Sequence, residues 1–472
     1  MRLPVIFKLV GLLAPLSKAA PSALSKRQGV KVECDGLEFK MDDEKAHACW
    51  KAGYDLKTNF YEKVPDGKEL PKVVFEITET EAGPDVSVPI ITRYVGSIQL
   101  MYSTQGFNRP VLAVNGKIPG PKIEANWGDT IGKRDIAYIL VNPDTNSRRY
   151  SVIEVKNSLK RNGTSIHFHG IRQHGTSFMD GTSAVTQCPI APGDSIIYKW
   201  KAEQYGTTWY HSHYGLQAWD GVFGPIVIHG PASAPYDIDL EPVLLSDWAH
   251  KTSDEVFAET FAQDGYATID NGLINGKNVY GKGGEHHQIK FTPGMRHRLR
   301  LINTAIDTTY QVSLDGHEMK VIAADLVPIN PFPTTFITLS SGQRYDVIIE
   351  GKKEAGDFWL RAVPDPCGST SISKTDANDE PISDVAELVK AIVYYGEKAS
   401  PPKSSPNPPE KMNPSCQDMP IEKLTPVVEM AAGKGDLNQD VNWSSKNYAD
   451  DNLIYWTIND TPFFSNWSQP SK

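Results

Sequence analysis

Apolar positions in this chain fall in short runs, and a glycine, proline or asparagine closes almost every one. Between residues 28 and 230 the clearest are Val73-Val-Phe-Glu-Ile-Thr, Val111-Leu-Ala-Val-Asn-Gly, Ile196-Ile-Tyr-Lys-Trp and Ile226-Val-Ile. Runs this short, partly alternating and bounded by turn formers, predict β-strands stacked as a sandwich or barrel. No long amphipathic helical period competes. A second block, 231–397, repeats the pattern in Val243-Leu-Leu-Ser-Asp-Trp, Arg298-Leu-Arg-Leu-Ile-Asn, Gly342-Gln-Arg-Tyr-Asp-Val-Ile-Ile and Phe358-Trp-Leu-Arg-Ala. Residues 398–420 are rich in Pro, Ser and Lys and read as a linker. Residues 421–472 look like the opening of a third β unit. A length of 472 residues suits two or three domains. The expected class is all-β.

Two histidine pairs stand out against that background. His167 and His169 lie in Thr164-Ser-Ile-His-Phe-His-Gly, and His211 and His213 in Trp209-Tyr-His-Ser-His. A spacing of two on a strand throws both side chains to one face, about 7 Å apart. Ile166, Phe168, Tyr210 and Ser212 take the other face. If the two strands run side by side at about 5 Å, four imidazoles converge on one patch, a metal site. A single such pair is common and says little. These two hold four of the twelve histidines and lie among Gly, Trp and Tyr, not on a charged face. Neutral imidazole suits copper, zinc, nickel and iron, so ligand type alone does not choose the metal. No His-Glu-x-x-His is present and neither pair encloses a carboxylate, which counts against a zinc hydrolase.

The same stretches carry a family resemblance. His167-Phe-His-Gly-Ile-Arg-Gln, Met179-Asp-Gly, Thr186-Gln-Cys-Pro-Ile, Tyr205-Gly-Thr-Thr-Trp-Tyr-His-Ser-His and Gly224-Pro-Ile-Val-Ile together resemble the first domain of multicopper oxidases, most closely the laccases of filamentous fungi. Phe168 departs mildly from the family's usual Trp. The resemblance implies tandem cupredoxin-like Greek-key domains: one over 28–230, a copper-free second over 231–397, and a third, incomplete, over 421–472. It implies copper as cofactor, dioxygen and phenolic or other small reducing donors as substrates, and a monomer. His167 looks like a ligand of the type 2 copper, and His169, His211 and His213 like ligands of the type 3 pair. Asp180 matches a nearby carboxylate used for proton delivery; its plainer reading is a turn residue before Gly181. The family's third domain brings the mononuclear site and the other half of the cluster, yet the last histidine here is His317. The expectation is a truncated copy, inactive as written. A ferroxidase or ascorbate-oxidase branch, and a non-catalytic copper-binding remnant, stay open beside the laccase reading.

The other histidines take plainer roles: His286, His287, His297 and His317 as structural residues, His174 and His229 as neighbours of the metal segments. A net charge of −9 and a pI near 5.8 give no bias toward nucleic acid. Met1–Ala20 has the charged start, apolar run and small-residue end of a secretion signal, too short to span a bilayer, so a secreted protein without a membrane anchor is expected. Lys26-Arg27 suits a second trimming step that removes 21–27. Asn442, Asn459 and Asn466 head glycosylation acceptors; Asn162 does too, but is expected to be shielded by the metal strand. Five cysteines leave one over: Cys34 with Cys49 and Cys367 with Cys416 make local pairs, and Cys188 has no partner.

Two segments interrupt the family pattern, 86–105 and 132–151, twenty residues each. The second cuts what otherwise reads as one strand, Thr130-Ile131 running on into Val152-Ile-Glu-Val. Both have the length of a short in-frame intron and are read as unspliced introns translated into protein.

Overall fold

The computed structural model describes residues 32–34, 37–39, 47–70, 72–83, 108–131, 153–263, 268–280, 283–353, 356–365, 371–372, 389–403, 417–431, 433, 435, 439–448 and 453–462. The secretion signal, the trimmed segment 21–27, the insertions 86–105 and 132–151, Cys367, Cys416 and Asn466 lie outside them. Among the described residues no helix is long and apolar enough to cross a membrane.

Two β-sandwiches follow one another, as the periodicity predicts. In the first, one sheet runs His167–Phe168, Gly206–His211, Phe223–His229, Ile123–Asn126; its partner runs Ser195–Tyr198, Ile153–Asn157, Val73–Ala82, Arg109–Val114. Strict alternation in Ile123–Asn126 buries every second residue, as a half-exposed strand should. Phe223–His229 is instead buried along nearly its whole length, because the second sandwich covers its outer face. Phe75, Ile77, Trp127, Phe168, Tyr198, Trp200 and Tyr210 fill the space between the sheets.

The second sandwich pairs a seven-stranded sheet with a five-stranded one. Its core draws on Leu245, Phe291, Leu299, Leu301, Tyr310, Val347 and Leu360. An α-helix, Ser253–Gln263, has its first residue bonded to Asp220 of the first sandwich. Trp443–Tyr448, Leu453–Ile458 and Thr461–Pro462 make a separate three-stranded sheet.

The seam between the sandwiches is part apolar and part ionic. Trp209 and Phe223 pack on Leu244 and Ile302. Beside them Thr207 donates to Asp346 at 2.6 Å and accepts from Arg300 at 2.7 Å. Arg298 and Arg300 both reach Asp346, and Arg300 also forks onto Asp239. Thr207, Arg298, Arg300 and Asp346 are all at most 4% exposed. Buried charges persist only when paired and hydrogen-bonded, and these are.

Near the second insertion the ladder has an informative register. Lys201 pairs with Thr130 and Trp200 with Ile131; Tyr198 pairs with Ile153 and Ile197 with Glu154. One partner stretch therefore continues straight across the break, with only Lys199 between the rungs. At the first insertion, Ala82 pairs with Arg109, so that segment joins two adjacent strands of a hairpin.

Candidate metal centre

The two histidine motifs meet as one antiparallel pair, His167 opposite His211 and Phe168 opposite Tyr210. One rung on, the His169 amide donates to the Trp209 carbonyl at 3.0 Å, and the Thr208 hydroxyl donates to the His169 carbonyl. Ile166, Phe168 and Tyr210 are fully buried and Ser212 nearly so, which leaves the histidines together on the opposite face. Phe168 packs on Tyr198 and Trp200 with ring centroids 5.3 Å away.

His167, His169 and His211 each bring a ring nitrogen within 4.8 Å of the others. His169 Nδ1 lies 3.3 Å from His211 Nε2. His213 stands at the exposed rim, its ring 5.5 Å from His167 and 5.9 Å from His211. The structure thus gathers all four expected residues, three tightly and one at the edge.

Hydrogen bonds choose the tautomers. His167 Nδ1 donates to the Asp180 carbonyl at 2.7 Å, and His211 Nδ1 to the Ser212 carbonyl at 2.9 Å. Each leaves Nε2 with a free lone pair, as an outer contact to a ligating histidine does. Burial, then the Arg344 charge and the adjacent rings, push His169 down to about 2. Burial outweighs the Ser212 carbonyl and holds His211 at about 3. His213 is lowered too, by desolvation and the His167 ring. Neutral imidazole is the form a metal needs.

Asp180 is a turn residue that also touches the patch. It closes the short turn Ser177–Met179, and its Oδ1 lies 3.3 Å from His167 Nδ1. Burial works to raise its pKa, yet hydrogen bonds with His167 and Thr182 hold it below the usual carboxylate range. Gly181 fixes this placement: its φ is +82°, and an added Cβ would fall 1.8 Å from the Ile166 carbonyl oxygen.

Two residues at the site escaped sequence reasoning. Trp209 stacks on His169 at 5.1 Å and on His211 at 4.2 Å. It shares the period-two face of His211 and His213, which was the signal to use. Arg344, from the second sandwich, is buried behind His169 and has no local signal. The remaining histidines have other partners: His174 meets Glu203 at 3.4 Å and His229 meets Glu124 at 2.6 Å. His286 packs edge-on to Trp359, and His317 bonds Tyr395 at 2.7 Å. Asn162 is exposed, which corrects its expected shielding: the turn that carries it leaves the sheet before the metal strand begins. Cys188 is a free, exposed thiol. Cys49 is disulfide-bonded; its partner is not among the described side chains, though the backbone of Val32–Cys34 runs beside Cys49–Lys51.

Three or four imidazoles with free lone pairs form a donor set for copper or another borderline metal. Two such nitrogens held tetrahedrally at about 2.0–2.1 Å from one ion stand roughly 3.3 Å apart, the separation of His169 Nδ1 and His211 Nε2. The residues fit a metal. Family models described as multicopper oxidase match residues 143–233 and 239–380. Laccase-2 of Botryotinia fuckeliana is 34% identical over 464 residues, covering 96% of this chain and 68% of that protein. The chain belongs to the multicopper oxidases. A laccase of Cryphonectria parasitica is 35% identical, covering 99% of this chain and 71% of its own. Among solved multicopper oxidase structures, the Botrytis aclada laccase superposes with a TM-score of 0.73 at 33% identity, over 90% of this chain and 69% of that one. Fet3p, at 21% identity and a TM-score of 0.65, shares the fold. The sequence spans about two thirds of the length of these relatives. As a multicopper oxidase it is a copper oxidoreductase, and its all-β tandem sandwiches are those of cupredoxin-type domains.

Proposed function

We propose that the histidine patch is the N-terminal half of a laccase-type oxygen-reducing centre, with His167, His169, His211 and His213 as its copper ligands. Copper held there supplies one-electron chemistry that couples oxidation of phenolic donors to reduction of dioxygen to water. The protein's part is to hold four imidazoles on one face, the tautomers of His167 and His211 set by backbone carbonyls, and to feed protons. Asp180 suits the second task, since it touches His167 on one side and is 27% exposed on the other, so its ionised carboxylate can accept a proton from solvent transiently and pass it on toward the patch. Support for the laccase branch comes from relatives named as laccases at 34–35% identity. The observation that carries the proposal is the convergence of three ring nitrogens within 4.8 Å. This sequence holds no histidine after His317, so by itself we propose that it binds copper without turning over oxygen. It acts as a monomer outside the cell in this reading.

Loading residues 28–472 with copper, then recording the visible spectrum and oxygen uptake with 2,6-dimethoxyphenol, tests this. Bound copper without an intense blue band, and oxygen uptake at background, is the expected result. A strong blue band or phenol-dependent uptake contradicts the half-site reading, and absence of bound copper contradicts the site.

A further inference from the structure

The second sandwich has no histidine in the patch, yet it forms the wall behind His169. The turn after Ile337–Leu339 brings Gly342 against the ring. With φ at +81°, an added Cβ there would stand 3.0 Å from His169 Cε1 and 3.2 Å from Nε2. Nε2 therefore faces the wall while Nδ1 points inward, 3.3 Å from His211 Nε2. The Gly342 amide is tied to the Asn303 carbonyl at 2.9 Å, so the turn is anchored to the sheet beneath it.

Arg344 locks this wall to the first sandwich. Its Nη1 donates to the Gly342 carbonyl at 2.9 Å and meets Asp325 at 2.9 Å, and its Nε donates to the Thr207 carbonyl at 3.2 Å. Thr207 lies on the strand that ends at His211. Nη2 lies against Gly170, the residue after His169, where an added Cβ would come within 2.7 Å. One buried guanidinium thus touches the wall, the segment leaving His169 and the strand carrying His211. A planar fork can span such contacts; the compact ammonium of lysine cannot.

We infer that Gly342 and Arg344 are positioning residues through which the second domain sets the orientation of His169 and so the geometry of the metal site. The part that concerns copper rests on the function proposed above; the orientation of the ring does not. Two full-length variants test it, Gly342→Ala and Arg344→Lys, each first checked for cooperative melting. In metal-free protein, carbethoxylation by diethyl pyrocarbonate is followed per histidine by peptide mass spectrometry. His169 should change reactivity several-fold in both variants while rim-exposed His213 does not. In copper-loaded protein, affinity should fall about 10- to 100-fold, the usual cost of disturbing an outer contact to a ligand, and the copper EPR signal should shift. Unchanged His169 reactivity and copper affinity in both folded variants would overturn the inference. If the unmodified chain binds no copper but His169 reactivity still responds, the proposed function fails and the positioning role stands.

Discussion

His167 stands directly across an antiparallel ladder from His211. A slip of one residue on either strand would turn one pair of histidines into the core and Phe168 or Tyr210 out of it. The buried aromatics on the reverse face thus hold the register that the site needs.

The Asp180 turn is fitted to that ladder by Gly181. Adding a methyl group there would place it 1.8 Å from the Ile166 carbonyl oxygen at a φ of +82°. Gly181→Ala should therefore cost about 2–4 kcal/mol, combining left-handed strain with overpacking. Urea unfolding of the metal-free protein measures it. A loss under 0.5 kcal/mol would mean the turn moves freely and does not position Asp180.

His297 gives a pH dependence away from the metal patch. Its ring is fully buried, stacks on Phe291 at 4.1 Å and accepts the Thr292 amide proton on Nε2 at 2.9 Å, so it is held neutral. Burial lowers its pKa from 6.5 to about 4. Between those values the unfolded chain binds the proton and the folded one does not, so stability from this group is lost as pH falls through the window. The loss amounts to about 3 kcal/mol at most. His297→Gln keeps an acceptor for Thr292 but does not titrate. The stability advantage of the natural protein over this variant should shrink between pH 7 and about pH 4; a pH-independent difference would exonerate His297.

Residues 132–151 should be dispensable. Ile131 and Ile153 pair with Trp200 and Tyr198, two rungs of one continuous partner, so joining Ile131 to Val152 restores an unbroken strand. Removing about twenty residues between two fixed ends also relieves roughly 2–3 kcal/mol of closure entropy. The deletion should fold and melt higher than the full chain, followed by circular dichroism. A deletion that fails to fold would show that the segment belongs to the domain. Sequencing the mature transcript tests the intron origin separately.

The legible parts of the molecule were the local ones. His167, His169, His211 and His213 were found because spacing of two fixes a face, and Phe168 and Tyr210 betray which face is core. The strand broken at Ile131 was visible because its alternation resumes at Val152. The seam was not visible. Arg298-Leu-Arg-Leu alternates charge with hydrocarbon, which ordinarily describes a strand with one wetted side. Here the charged side is buried against Thr207 of the other sandwich and neutralised by Asp346 and Asp239. Arg344 was hidden for the same reason: its contacts with Thr207 and the Gly170 segment join parts of the chain that no local pattern relates.

Copper content measures the account most directly. The full chain and the double variant His211→Ala/His213→Ala, both shown to be folded by circular dichroism, are dialysed against dilute copper and then buffer, and bound metal is counted by atomic absorption. The natural sequence should retain copper, and the double variant should lose nearly all of it, since two of the four donors are gone. Equal copper in both proteins would place the ligands elsewhere and contradict the assignment of this patch as the metal site.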